Sequence, residues 1–133
     1  VVARVSASGA GFKVAVVELP EGKRLLPNGN LLVISVDRER TDPYFIKACL
    51  DNEYAQSYLQ KFSVGSSVVT LNYKNLENLP VPDLPLARQR EVSEASRTAA
   101  KRIAELREKL SAAKTALGNV LSETAPECIG TSK

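Results

Sequence analysis

The 133-residue chain contains no histidine and two cysteines, Cys49 and Cys128. Without histidine, imidazole acid–base catalysis, Ser-His triads and most zinc sites are excluded from within the chain. Two cysteines this far apart make neither a disulfide framework nor a metal motif. They read as a buried helical thiol and a free thiol in a tail. Carboxylates are plentiful, but Glu91, Glu94, Glu105 and Glu108 alternate with Arg88, Arg90, Arg102 and Lys109. That is the pattern of a solvated helix face or a coiled-coil flank, not of a paired acid and base. No catalytic constellation, cofactor or metal site is therefore expected. A different chemistry is open to Lys61-Phe62-Ser63-Val64-Gly65-Ser66-Ser67-Val68 followed by Asn72-Tyr73-Lys74-Asn75. These residues group Lys, Ser, Asn and Tyr on loops around one short strand. Lys61 and Lys74 suit phosphates, as do backbone N–H groups and the hydroxyls of Ser66 and Ser67 near a glycine turn. Asn72 or Tyr73 can reach base edges. Lys13 and Arg24 are further candidates. Composition alone favours ordinary polar loops.

Two fragments invite a methyltransferase reading. Gly9-Ala10-Gly11-Phe12 has the look of a nucleotide-cradling glycine loop, and Asp42-Pro43-Tyr44-Phe45 that of an Asp-Pro-Pro-Tyr motif. The second proline is missing, and Asp42-Pro43 reads instead as a helix cap followed by proline at the first helical position. About thirty residues separate the fragments, too few for the βα units of a cofactor-binding sheet. A lone Gly-x-Gly is weak evidence. Both fragments are expected to be structural turns.

The elements that must position the polar loops are legible in outline. Residues 1–7 and 13–19 are β-branched runs on either side of a glycine turn. Pro27-Asn28-Gly29 is a turn into residues 30–36, a run so uniformly apolar that it predicts a strand buried on both faces. Asp42 caps a helix carrying Phe45, Ile46, Cys49 and Leu50. Asp51-Asn52 separates it from a second helix, residues 53–62, which ends at Gly65. Residues 68–71 predict a short strand, residues 72–77 a polar turn or single helical turn, and Leu79-Pro80-Val81-Pro82 an extended stretch.

From Leu84 onward the composition changes. Residues 86–117 contain no glycine or proline. Asp83 is placed to cap a helix and Pro85 to sit in its first turn. Val92, Ser96, Ala99, Ile103, Leu106, Leu110, Ala113, Leu117 and Val120 recur at alternating steps of four and three, a heptad seam with one lapse at Ser96. A seam of this period requires a partner helix. The expected fold class is α+β: a small mixed α/β domain over residues 1–85, one long coiled-coil helix over 86–121, and a flexible tail over 122–133.

Apolar residues make up 44% and charged residues 25%, the balance of a globular protein. No run of eighteen apolar residues exists, so no membrane span is expected. Val1 to Ala10 carries no charged region leading into an apolar stretch, so no signal peptide is expected. The chain does not begin with Met, and it is expected to be an excised fragment or a processed product. The net charge of +3 lies wholly in residues 86–133; residues 1–85 carry nine cations and nine anions. This balance permits nucleic-acid binding without demonstrating it.

Taken in order, several features form one pattern. They are Gly9-x-Gly11, Pro27-Asn28-Gly29-Asn30, Pro43-Tyr44-Phe45 with Leu50, and Gly65-Ser66. Leu71, Leu76, Leu79-Pro80-Val81-Pro82 and Leu84-Pro85-Leu86 follow, with Gln89 opening a heptad helix. The pattern resembles the target recognition domain and following conserved helix of the specificity subunit of type I restriction-modification enzymes. The resemblance covers most of residues 1–117 and is most specific at residues 81–89. It implies a non-catalytic reader of double-stranded DNA in a prokaryotic cytoplasm. The long helix would pair, antiparallel, with a second specificity helix from another copy or the parent chain, and dock methyltransferase and restriction subunits. Helix-pairing residues would be Val92, Ala99, Ile103, Leu106, Leu110, Ala113 and Leu117. S-adenosylmethionine would be carried by other chains. Two alternatives stand beside this: the C-terminal recognition region of a single-chain adenine-N6 DNA methyltransferase, and a coiled-coil interaction module without DNA binding.

Overall fold

The computed structural model describes residues 1–7, 10–63 and 68–124. It forms two compact units, Val1–Ala95 and Ser96–Lys133. The first is a mixed α/β unit and the described part of the second is helix.

In the first unit, β1 (Val2–Ala3) and β2 (Val5–Ala7) are two halves of one extended segment that changes partners at Arg4. β1 pairs antiparallel with β3 (Leu31–Leu32), placing Val2 opposite Leu32. On its other side it bridges to Val14, supported by bonds from Ala3 N to Lys13 O and from Ala15 N to Val1 O, both 2.9 Å. β2 pairs antiparallel with β4 (Val68–Thr70), with Ser6 opposite Val69. Arg4 joins the halves. Its backbone N–H donates to Asn30 O, its carbonyl accepts from Leu71 N, and its guanidinium reaches Leu71 O at 3.2 Å and Gly29 O at 3.3 Å. The expected strand 30–36 is cut short. Only Leu31–Leu32 pair, and Val33 and Ile34 are 38% and 37% exposed. The run therefore is not buried on both faces, and among the described residues its ladder pairing to β1 is confined to Leu31–Leu32.

The helices follow their caps. Asp42 accepts from Tyr44 N and Phe45 N to start α1 (Pro43–Asp51), with proline at its first position. Asn52 leaves the helical region, accepts from Tyr54 N and starts α2 (Glu53–Gln60), which runs into a 3₁₀ turn at Lys61–Ser63. The core is a sandwich of strand faces against these helices: Val2, Leu32, Val69 and Leu71 from the strand side meet Leu50, Ala55 and Leu59. Each fully buried Leu or Val contributes about 1.5–3 kcal/mol. Phe12 joins this core because Gln56 clamps its backbone, accepting from Phe12 N at 2.6 Å while donating to Phe12 O and Leu50 O. Gly11 allows that approach at φ +71°, a left-handed conformation that disfavours any side chain.

α4 spans Leu86–Thr124, reaching three residues into the stretch expected to be a tail and passing through Gly118. Its 39 residues make it about 58 Å long. The helix begins one residue after Pro85, whose carbonyl accepts from Gln89 N at 3.0 Å. Pro85 is therefore the flanking cap residue and not part of the first turn, and Asp83 lies too far upstream to cap. The first ten residues of α4 belong to the first unit.

Candidate functional site

β4 leads within two residues to α3 (Tyr73–Glu77), a single helical turn built by a capping box. Asn72 Oδ1 accepts from Asn75 N at 3.0 Å, and Asn75 Oδ1 accepts from Asn72 N at 2.9 Å. The Asn72 carbonyl-type oxygen is thus committed to the fold, and its amide nitrogen is what remains for a ligand. Tyr73 is 55% exposed at the first position of α3, and Lys74 beside it is exposed. Lys61 is exposed on the 3₁₀ turn, which packs beside β4. Among the described residues neither Lys61 nor Lys74 is in an ion pair. Two cations, a phenol and an amide on neighbouring short elements can hold phosphate oxygens and offer a stacking face. Ser66 and Ser67 lie outside the described residues.

Lys13 and Arg24 are placed elsewhere. Lys13 is exposed on the segment that bridges to the far side of β1, and Arg24 is exposed in the connection that follows the Pro20 turn. No hydrogen bond or ion pair among the described residues links either side chain to α3. Arg4, which residue type and spacing did not single out, is tied directly to that neighbourhood. Its Nε donates to the carbonyl of Leu71, the residue preceding Asn72. The signal lay in an arginine interrupting a β-branched run, where a charge must find buried carbonyls or face solvent.

A second arrangement sits where α4 leaves the α/β unit. Gln89 and Ser93 are 6% and 4% exposed, one helical turn apart on the same face. Gln89 Oε1 accepts from Asp42 N at 3.0 Å, and its Nε2 donates to Leu84 O at 2.8 Å and to Arg40 O at 3.3 Å. The Ser93 hydroxyl lies 2.9 Å from both the Asp42 carboxylate and Gln89 O, two acceptors that share its single proton. The cap of α1 and the first turns of α4 are therefore one polar network, with every buried side-chain group in it satisfied. Ser93 carries no signal in the sequence, since a serine in a charged helix is ordinarily solvated.

Beyond that network the α4 stripe is bare. Ile103, Leu106, Leu110 and Leu117 are 50–61% exposed, and Ala99 and Ala113 are exposed, whereas Val92 is half-buried in the first unit. Six Lys and Arg against two Glu line residues 96–122. Two local pairs on the helix, Arg88 with Glu91 and Arg102 with Glu105 at 3.8 Å, are exposed and therefore weak. No helix among the described residues is long and apolar enough to cross a membrane. Cys49 sits on α1, where partial burial pushes its thiol above the ordinary range and so favours the protonated form. Compared with family models, curated proteins and solved structures, the chain matches none.

Proposed function

We propose that the chain is a DNA-recognition module of a type I restriction-modification enzyme, with no catalysis of its own. In this reading the α/β unit binds double-stranded DNA through the turn around Lys61 and through α3. α4 pairs antiparallel with a second specificity helix and docks methyltransferase and restriction subunits. The observation that carries the reading is the Asp42–Gln89–Ser93 network. Pro43 and Gln89, which open the two helices in the resemblance, here flank or form a single junction that fixes the start of a long helix with a bare apolar stripe. Lys61, on the turn packed beside β4, and Tyr73 and Lys74, on the helical turn that follows β4 in the chain, are each exposed and support the contact to DNA. The exposed stripe supports a helix partner, and equally supports the reading of a coiled-coil module that never touches DNA.

Salt separates the two. Anisotropy of a fluorescent random-sequence duplex is titrated with the chain across salt concentrations. The proposal expects affinity to fall linearly with salt on logarithmic axes, and Lys74→Ala to lower that slope by about one. The absence of binding at low salt, or a slope unchanged by Lys74→Ala, counts against it and in favour of the interaction module.

A further inference from the structure

Residues 1–85 are neutral as a whole, but their charges are segregated along the chain. Residues 1–17, 22–36 and 61–76 contain no Asp or Glu, and they hold Arg4, Lys13, Lys23, Arg24, Lys61 and Lys74. All nine carboxylates of residues 1–85 lie outside these stretches. The fold joins the three acid-free stretches at one residue. Arg4 donates its backbone N–H to Asn30 O at 2.8 Å, and its carbonyl accepts from Leu71 N at 2.8 Å. Just before it β1 pairs with β3, and just after it β2 pairs with β4. The Arg4 side chain repeats the same junction. It is half-buried, with Nε donating to Leu71 O at 3.2 Å and Nη1 to Gly29 O at 3.3 Å. Both bonds are at or beyond the long end of the ordinary range. The remaining N–H groups, one on Nη1 and both on Nη2, have no partner among the described residues, and no carboxylate there is in salt-bridge range.

Two carbonyls need only a neutral donor to hold them. A guanidinium partly withdrawn from water gives up hydration, and here it meets no counter-charge. The residues beside the two carbonyls point to what supplies one. Asn28 precedes Gly29 and Asn72 follows Leu71, and both are exposed. Each has its Oδ1 committed, to Asn30 N at 3.0 Å and to Asn75 N at 3.0 Å, so each has only amide N–H groups to offer. Donors on every side, with no carboxylate in any of the three stretches, select an oxyanion. We propose that Arg4 is a phosphate contact, receiving a phosphodiester oxygen on its uncommitted N–H groups while Leu71 O and Gly29 O hold the guanidinium in place. This rests on the DNA-recognition reading and deepens it: the ligand is the backbone of the duplex, and a free phosphate ion shares the chemistry. The other cations of the acid-free stretches add to the attraction without fixing its geometry. Lysine at position 4 would carry the same charge on a single point, and could not serve two carbonyls and a phosphate together.

The test uses the full chain, a random-sequence duplex and inorganic phosphate. Arg4→Lys is expected to weaken duplex binding about tenfold with the salt slope unchanged, and Arg4→Gln to weaken it at least as much and lower the slope by about one. In both variants the exchange protection of the Val69 amide, on the strand opposite Ser6, is expected to match the parent, which separates a lost contact from a lost fold. In the unmutated chain the Nε–H resonance of Arg4, assigned by its disappearance in Arg4→Lys, is expected to move saturably with duplex, and with inorganic phosphate but not with chloride at equal ionic strength. If the duplex binds the parent and both variants with one affinity and one slope, or binds without moving the Arg4 resonance, the Arg4 contact is refuted while the DNA-recognition reading stands. If no duplex binds, that reading falls and the phosphate titration decides: a saturable shift keeps Arg4 as a phosphate site, and an unmoved resonance overturns it.

Discussion

Replacing Gln89 by alanine removes the amide that joins α1 to α4, and its cost can be worked from the geometry. Gln89 makes two good hydrogen bonds, at 3.0 Å from Asp42 N and 2.8 Å to Leu84 O, and a longer one of 3.3 Å to Arg40 O. The side chain is 6% exposed, so the groups it leaves behind do not all regain water. An abandoned buried donor or acceptor costs about 1–3 kcal/mol. Asp42 and Leu84 are half-buried, which puts each at the lower end. The expected loss is therefore about 2–3 kcal/mol, a large fraction of a typical domain stability of about 5–15 kcal/mol. All four tyrosines, Tyr44, Tyr54, Tyr58 and Tyr73, lie in the first unit, and the chain has no tryptophan. Urea unfolding followed by tyrosine fluorescence therefore reports the α/β unit, while circular dichroism is dominated by α4. Arg88→Ala, one residue away, is the control. It breaks only an exposed pair with Glu91 and is expected to cost at most about 1 kcal/mol. If Gln89→Ala shifts stability by less than 0.5 kcal/mol, or by no more than the control, as order-of-magnitude thresholds, the network is ornamental and the reasoning fails.

Leu106→Asp places a carboxylate in the exposed stripe of α4. Sedimentation is expected to show association of the parent chain and a monomer for the variant, with the tyrosine-detected transition unmoved; a parent that is monomeric at high concentration refutes self-pairing. Gly11→Ala sets a Cβ 2.9 Å from Gln56 Oε1 at a left-handed φ of +71°, so a loss of about 1–2 kcal/mol is expected in the same urea assay; an unchanged midpoint would show that the turn relaxes freely. Burial raises the Cys49 thiol, so the unfolded chain loses that proton first. The contribution of Cys49 to stability is then fully present below the ordinary thiol range and declines as pH rises through and above it. In a Cys128→Ser background, Cys49 is expected to alkylate more slowly at pH 8 than after unfolding in urea; equal rates would contradict the burial.

Short-range physics was written into the order of residues. Asp42 with Pro43, and the Asn52 break, set helix starts because a polar side chain caps the N–H groups two and three residues on, wherever the rest of the chain lies. The long helix was equally legible, since residues 86–117 lack any breaker and repeat at heptad spacing. The polar loops were legible only as a composition. Tertiary structure brought Lys61 beside β4, tied Arg4 to Leu71, and turned Asn72 into a cap with one face left for a ligand. It also decided that only Leu31–Leu32 of the apolar run join a ladder, because a strand is stabilised by neighbours that come from distant parts of the chain. Gln89 and Ser93 show the same division. Their spacing put them on one helix face, but only the fold brought Asp42, nearly fifty residues earlier, within hydrogen-bond reach. Local periodicity records which face a residue occupies; which distant backbone group meets that face depends on long-range packing, which has no signature at short spacing.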